Sequence, residues 1–530
     1  VVINSTIDQT FLNAVKQYPN NLALVYKEKE LTFSELDRFV NKLAGALSAK
    51  GVGKQDKVII YLPHMVEWIG AWLALQRIGA VPIPVSHFYG ADILHYIAKD
   101  CEIRTIFCTS ANFQQVLHAA ENTPLHQAII ADTGELTELE KLVDGKNMEL
   151  IACERLLSEE ALPVPKIVID GNEMAEMLYT SGTTGLPKGV PISHNYFIEQ
   201  ITQARKLNEP IVPRGCGVTI QGAPLNHVLG QELGLGSLLS GDSLILLAQL
   251  NLDDLLFHVE KYQATTFFGT QTLCRMILEH DKLEQYNLQS LVYVFTGGEV
   301  LPIEVARAWY QKFGNPLFQG YGSTETCGAI TGILAGAPFP EGTAGKIVPN
   351  KKVKLVDQET LLPVADGEAG ELLVYAENMT KTYWHSPEET AKRFIDIENL
   401  IWYRTGDVVQ INEEGWLFFK ERSVDLIKHK GYRVAPSKIE GVLYKHSAVS
   451  SCCVVGVPDP KAGEKIKAFV VLKQDAANIS AEELIAWCRE RLVSYEVPHF
   501  IEFQDDLPKS AAGKILRKVL RELAAAKMAI

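Results

Sequence analysis

A chain of 530 residues exceeds the size at which one hydrophobic core keeps growing, so at least two folding units are expected. Hydrophobic residues at 47% and charged residues at 22% are ordinary globular usage and favour neither a disordered nor a fibrous chain. A formal net charge of −13 argues against broad capture of nucleic acid or anionic lipid, although a local basic cluster can still hold phosphate.

The first ten residues lack a basic segment followed by an apolar run, so no signal peptide is expected. The most apolar long stretch, 58–85, contains Pro63, His64, Glu67, Gln76 and Arg77, too many interruptions for a membrane span. It reads as a βαβ unit: a strand at 58–62, a helix near 65–78, a stop at Gly79 and a strand near 81–85. Further short apolar runs at 105–108, 244–247, 265–268 and 291–295 alternate with helical patterns, as in layered α/β sheets. After Asn350 shorter alternating segments and turn clusters such as Ala365-Asp-Gly-Glu368 predict an antiparallel β region. From about Asp425 strand, helix and strand patterns suffice for a compact domain of roughly a hundred residues. The main boundary is placed near 422–424. This gives a large unit at 1–423, β-rich from about 345, and a small unit at 424–530. The nine cysteines are odd in number and lack Cys-x-x-Cys spacing, which disfavours a disulfide framework or a zinc site and fits a reducing cytoplasm. Adjacent Cys452 and Cys453 read as small apolar residues of a strand running into Val454 and Val455.

The segment Leu178-Tyr-Thr-Ser-Gly-Thr-Thr-Gly-Leu-Pro-Lys-Gly189 follows an apolar run and has the composition of a phosphate loop. Gly182 and Gly185 let backbone N–H groups approach an anion; Thr180, Ser181, Thr183 and Thr184 add hydroxyls, and Lys188 adds charge. It is not a Walker loop, because Lys188 follows Leu186-Pro187 and leads into a predicted strand, whereas the Walker lysine opens a helix. A shorter Ser/Thr/Gly string would be an ordinary surface turn; the length of this one makes that reading improbable.

Here the sequence resembles the adenylate-forming superfamily of acyl-CoA synthetases, adenylation domains and luciferases, and the resemblance extends over essentially the whole chain. It implies an α/β fold: a large N-terminal domain of layered sheets plus a β-barrel-like subdomain, with a small mobile α+β C-terminal domain. It also implies that Thr180, Ser181, Gly182, Thr183, Thr184 and Lys188 embrace the β- and γ-phosphates of ATP. In Gln319-Gly-Tyr-Gly-Ser-Thr-Glu-Thr326 the family pattern packs Tyr321 on adenine between Gly320 and Gly322, sets Thr324 on the α-phosphate and gives Glu325 to Mg²⁺, a hard cation that takes oxygen ligands. Thr296-Gly297-Gly298-Glu299 resembles the adenine-side loop. Asp407, ending Tyr403-Arg-Thr-Gly-Asp407, matches the aspartate that accepts both ribose hydroxyls, a task suited to an acceptor-only carboxylate. Arg422 matches an arginine contacting the nucleotide near the domain junction.

Two positions depart from the pattern: Glu421 stands where a glycine is usual, and Val424 stands at the hinge position, commonly Asp or Lys, where β-branching restricts the backbone. Lys514, in Pro508-Lys-Ser-Ala-Ala-Gly-Lys514, takes the position of the family's catalytic lysine, whose ammonium stabilises charge building at the α-phosphorus. His227, in Pro224-Leu-Asn-His-Val-Leu-Gly230, matches a gate beside the carboxylate. Val228, Gln231 and Gly298 would line the acid pocket, and a helix with small residues is expected over 233–239. Amino-acid-activating relatives carry an aspartate near this segment, whereas Asn226, His227 and Gln231 supply no carboxylate, with Glu232 the nearest acid. An apolar monocarboxylic acid is therefore favoured, medium-chain, alicyclic or aromatic. Lys430 and Gly431 resemble the thioester-forming face, where glycine lets pantetheine pass close to the backbone.

The resulting expectation is an AMP-forming acyl-CoA ligase using Mg²⁺, ATP and coenzyme A, with no nucleic-acid partner, no membrane span and a homodimer as one possible assembly. Two alternatives stay open: an enzyme that loads a separate carrier protein, and a catalytically silent nucleotide- or acyl-binding protein suggested by Glu421 and Val424.

Overall fold

The computed structural model describes residues 5–134, 136–158, 160, 162–180, 186–249, 251–298, 300–422, 427–429, 432–459, 462–473, 479–509 and 515–528. Two mainly parallel sheets form its body. One is five-stranded and wholly parallel, in the order Val81–Pro84, Lys57–Ile60, Thr105–Cys108, Gln127–Ile130, Glu149–Ala152. The other has seven strands and runs from Leu317–Gln319 through Tyr293–Thr296, Thr266–Gly269, Val218–Gln221, Ser243–Leu246 and Leu22–Tyr26 to an antiparallel edge, Lys29–Thr32. Strands such as Thr266–Gly269 and Thr105–Cys108 are buried along their whole length, which is why they read as unbroken apolar runs: parallel sheets are covered on both faces.

The predicted βαβ unit is present as Lys57–Ile60, the helix Val66–Arg77 and Val81–Pro84, with Gly79 in the left-handed region at φ +66°. The helix buries Trp68 and Trp72 in the core shared by the two sheets. The run at 291–295 begins two residues late, at Tyr293–Thr296, because the Leu291 N–H is committed to Leu288 O at 3.1 Å in the preceding turn. The expected helix at 233–239 is interrupted: Gln231–Leu235 forms a π-turn, and regular α-helix follows only over Gly236–Leu239.

A three-stranded antiparallel sheet, Tyr321–Ser323, Gly328–Gly332 and Lys346–Ile347, leads into a five-stranded antiparallel one built on the long strand Leu400–Ile411, giving a curled β subdomain. The Ala365–Glu368 turn closes with Glu368 N–H on Ala365 O at 3.0 Å and Gly367 at φ +80°. The small C-terminal domain folds around the pair Val449–Asp459 and Gly463–Leu472, with Cys452 and Cys453 buried in the first strand as expected. It touches the body where Arg275 donates to Ser450 O and lies 5.9 Å from the Tyr444 ring. All nine cysteines are free, and no helix among the described residues is long and apolar enough to cross a membrane.

Candidate active site

Strands Met174–Thr180 and Lys188–Ser193 pair antiparallel with Thr180 directly opposite Lys188, so the phosphate-loop string closes a hairpin whose ends are fixed. Ser181, Gly182, Thr183 and Thr184 lie outside the described residues. Gly189 is required by packing: a Cβ there would stand 2.6 Å from Met177 Sδ and 3.0 Å from Trp384 Cβ. Lys188 forms an ion pair with Glu389, and its ammonium lies 5.2 Å from the centre of the Tyr383 ring. Hydrogen bonds from Lys188 and Lys392 hold the Glu389 carboxyl down at about 2.

The Gln319–Thr326 string turns sharply out of its short strand. A Cβ on Gly322 would sit 2.2 Å from Gly328 O, so this hairpin closes only because residue 322 has no side chain. Ser323 N–H donates to Thr326 Oγ1 at 3.1 Å, and Thr326 Oγ1 donates to Gly328 O at 2.7 Å, fixing the turn that presents Thr324 and Glu325. Tyr196 Oη donates to Thr326 O at 2.9 Å, and Tyr383 Oη donates to Glu325 Oε1 at 2.6 Å. Burial, then the neighbouring Glu325 carboxylate, raises the Tyr383 phenol, which therefore stays a donor. Tyr321 Oη donates to Asp407 Oδ2 at 2.5 Å, while its ring meets Phe419 edge-on at 5.0 Å. Asp407 is buried and stands opposite Arg422 in the strand pairing, so the candidate ribose and junction residues share one β-ladder position.

On the acid side His227 is exposed and caps a short helix, its Nδ1 accepting from Leu229 N–H at 3.3 Å. The loop before it is pinned by Leu225 N–H on His64 Nε2 at 3.2 Å; burial depresses His64 to about 4, which keeps the ring neutral and that nitrogen an acceptor. Val228 and Gln231 are buried. A Cβ on Gly297 would lie 3.6 Å from Leu229 Cδ1, so the Thr296–Gly298 segment abuts this helix, and Gly298 occupies the left-handed region at φ +86°. Glu232 does not face an acid pocket as an open carboxylate: it accepts from Ala329 N–H at 3.0 and 3.1 Å and is buried. Glu176, fully buried beside Gln231 and hydrogen-bonded by Trp72 Nε1 at 3.1 Å, is pushed up to about 8 by desolvation.

The structure thus brings together Lys188 with Glu325 through Tyr383, Tyr321 with Asp407, and Gly297 with the His227 helix. Glu299, Val424, Lys430, Gly431 and Lys514 lie outside the described residues, and Arg422 is described by its backbone alone. Tyr383, Tyr196, His64 and Glu389 escaped the sequence reading, because each stands in an unremarkable helix, strand-end or turn context. Among the described residues no three His, Cys, Asp or Glu side chains cluster as a metal site.

Fold and signature segments are those of the adenylate-forming class. Residues 11–384 match the AMP-binding enzyme family and residues 438–514 the AMP-binding enzyme C-terminal domain, and the chain belongs to that family. It is 30% identical over 536 residues to a long-chain-fatty-acid–CoA ligase of Bacillus subtilis (strain 168), covering 98% of this chain and 94% of that one. The crystal structure of the anthranilate CoA ligase AuaEII in complex with anthranoyl-AMP superimposes with a TM-score of 0.90 at 25% identity, covering 100% of this chain and 99% of that one. The o-succinylbenzoate coenzyme A synthetase of Bacillus subtilis, in complex with ATP and magnesium ion, superimposes with a TM-score of 0.80 at 25% identity, covering 96% and 98%. The chain is an AMP-forming acid–CoA ligase of this family.

Proposed function

We propose that this ligase activates an apolar monocarboxylic acid, medium-chain, alicyclic or aromatic, to its adenylate with Mg-ATP and then transfers the acyl group to coenzyme A. The observation that carries the reading is the continuity of the site: one tyrosine, Tyr383, lies under the ammonium of Lys188 and donates to Glu325, while Tyr321 donates to Asp407. A triphosphate held at the hairpin therefore has a carboxylate for its cation within reach of the same side chain, and a nucleoside has its ring platform and ribose acceptor already joined. Tyr383 engages Glu325 Oε1, and Oε2 is assigned to the cation. Mg²⁺, when bound, neutralises triphosphate charge.

Thr324, on the braced turn, is assigned to the α-phosphate, and Lys514 is assigned the ammonium that stabilises the pentavalent transition state. The apolar acid is supported by the engagement of Glu232 with Ala329, which leaves no carboxylate on the His227 helix to pair with a substrate ammonium. Relatives named for long-chain fatty acids and anthranilate fit an acid with an apolar body. Lys430 and Gly431 are assigned to the thioester step, which would follow rotation of the small domain about the region of Val424.

The test is acid-dependent exchange of labelled pyrophosphate into ATP across medium-chain, alicyclic, aromatic and amino acids, with the wild type and Lys514→Ala. Exchange with apolar acids, lost in the variant while ATP still binds, is expected. Exchange confined to amino acids, or undiminished in Lys514→Ala, would reject the assignment.

A further inference from the structure

Behind the turn that carries Thr324 and Glu325, the two peptide groups that flank one residue, Ala329, are each held by a buried charged side chain. Glu232, from the π-turn next to the His227 helix, accepts from the N–H of Ala329 through both carboxylate oxygens, at 3.0 and 3.1 Å. Lys351 donates to the carbonyl of the same residue, and also to Gln200 Oε1 at 2.5 Å. Gln200 and Tyr196 belong to the helix His194–Asn208, which begins where the phosphate-loop strand Lys188–Ser193 ends. The Tyr196 ring lies 5.8 Å from the Lys351 ammonium, and its hydroxyl holds Thr326 O. The fit against the turn is close: Gly328 sits at φ +105°, and a Cβ there would stand 2.2 Å from Glu232 Oε2.

Three parts of the site therefore converge on Ala329: the acid-side π-turn, the helix that continues the phosphate hairpin, and the turn bearing Thr324 and Glu325. Apolar packing could fill this space at less cost, since an ammonium and a carboxylate lose their hydration on burial and mutual attraction offsets that loss only in part. Burial opposes ionisation of both groups, raising Glu232 and lowering Lys351, while their mutual attraction works the other way. What the charged groups add over an apolar filling is direction: aimed hydrogen bonds that fix the two peptide planes on either side of Ala329, and so its backbone torsions.

We propose that Glu232 and Lys351 are positioning residues for adenylate formation, which lock the backbone on both sides of Ala329 so that the acid-side helix and the Thr324–Glu325 turn keep one mutual placement. This rests on the proposed function, since it assumes the turn serves the nucleotide. Displacement of such a turn by a fraction of an ångström impairs the transition state more than ground-state binding.

The test replaces both charges together, in Glu232→Leu/Lys351→Met, because either single change would strand a buried ion. Two half-reactions are followed: pyrophosphate exchange with the acid that the wild type activates best, and thioester formation from the pre-made adenylate of that acid with coenzyme A. The expected result is a folded variant whose exchange kcat falls about tenfold or more, while thioester formation stays within about twofold. A merely structural pair would leave both rates intact or lower them in proportion, and either outcome overturns the proposal. Should the double variant not fold, Glu232→Gln carries the same comparison, because the ratio of the two rates does not depend on how much protein is folded. A ratio shifted against exchange supports positioning, and an unchanged ratio overturns it. A wild-type protein silent in exchange with every acid would remove the proposed function and this assignment with it, an outcome distinct from wild-type exchange unaffected by the substitutions.

Discussion

Tyr383→Phe removes one hydroxyl from the centre of the candidate site and little else. The ring would keep its edge contact with Phe394 at 5.4 Å and its place under the Lys188 ammonium, because neither depends on oxygen. What disappears is the 2.6 Å hydrogen bond to Glu325, between two side chains that are 4% and 9% exposed, too little for water to replace the donor freely, together with the contact of the same hydroxyl with Tyr403. A hydrogen bond to a charged partner contributes about 1.5–3 kcal/mol, or roughly ten- to hundredfold if it were all expressed in one equilibrium or rate. Some of this will appear as lost stability and some as a disordered Glu325. Exchange kcat should therefore fall about tenfold, and the Mg²⁺ concentration giving half-maximal exchange should rise several-fold. The assay is a Mg²⁺ titration of acid-dependent pyrophosphate exchange at saturating ATP and acid, with urea unfolding run in parallel. An unchanged Mg²⁺ requirement at an unchanged rate would show that Glu325 neither depends on Tyr383 nor meets the cation.

Glu389→Gln removes the carboxylate that pairs with Lys188 and so competes with a triphosphate for it; ATP should bind a few-fold more tightly by calorimetry, and weaker binding would contradict the competition. Glu176→Gln should alter the pH profile of stability. With its carboxyl raised to about 8 against an ordinary value of 4.5, the folded protein retains a proton that the unfolded chain loses first. The stability from this group is complete below about 4.5 and is lost as pH rises towards 8, at up to ~1.4 kcal/mol per pH unit. Urea midpoints at pH 5.5 and 7.5 should thus converge in the variant relative to the wild type, and an identical decline in both proteins would refute a neutral buried Glu176.

The family and the candidate segments were legible in the sequence because each signature is a short run: the hairpin string ending at Lys188, the turn before Thr324 and Glu325, and the segment closing on Asp407 all keep their parts adjacent along the chain. The parallel strands were legible for a similar reason, since burial on both faces writes itself as unbroken apolar runs such as 105–108. Tertiary structure alone decided what braces those runs. Tyr383 meets Glu325 across 58 residues, Tyr321 meets Asp407 across 86, and Tyr196 meets Thr326 across 130. It also decided that Glu232 is spent on Ala329 rather than offered to a substrate, and that Glu176 holds its proton. A hydrogen bond's worth depends on the partner and the surrounding dielectric, and both are set by which distant segments fold against each other, not by the identity of the residue that carries the donor or acceptor.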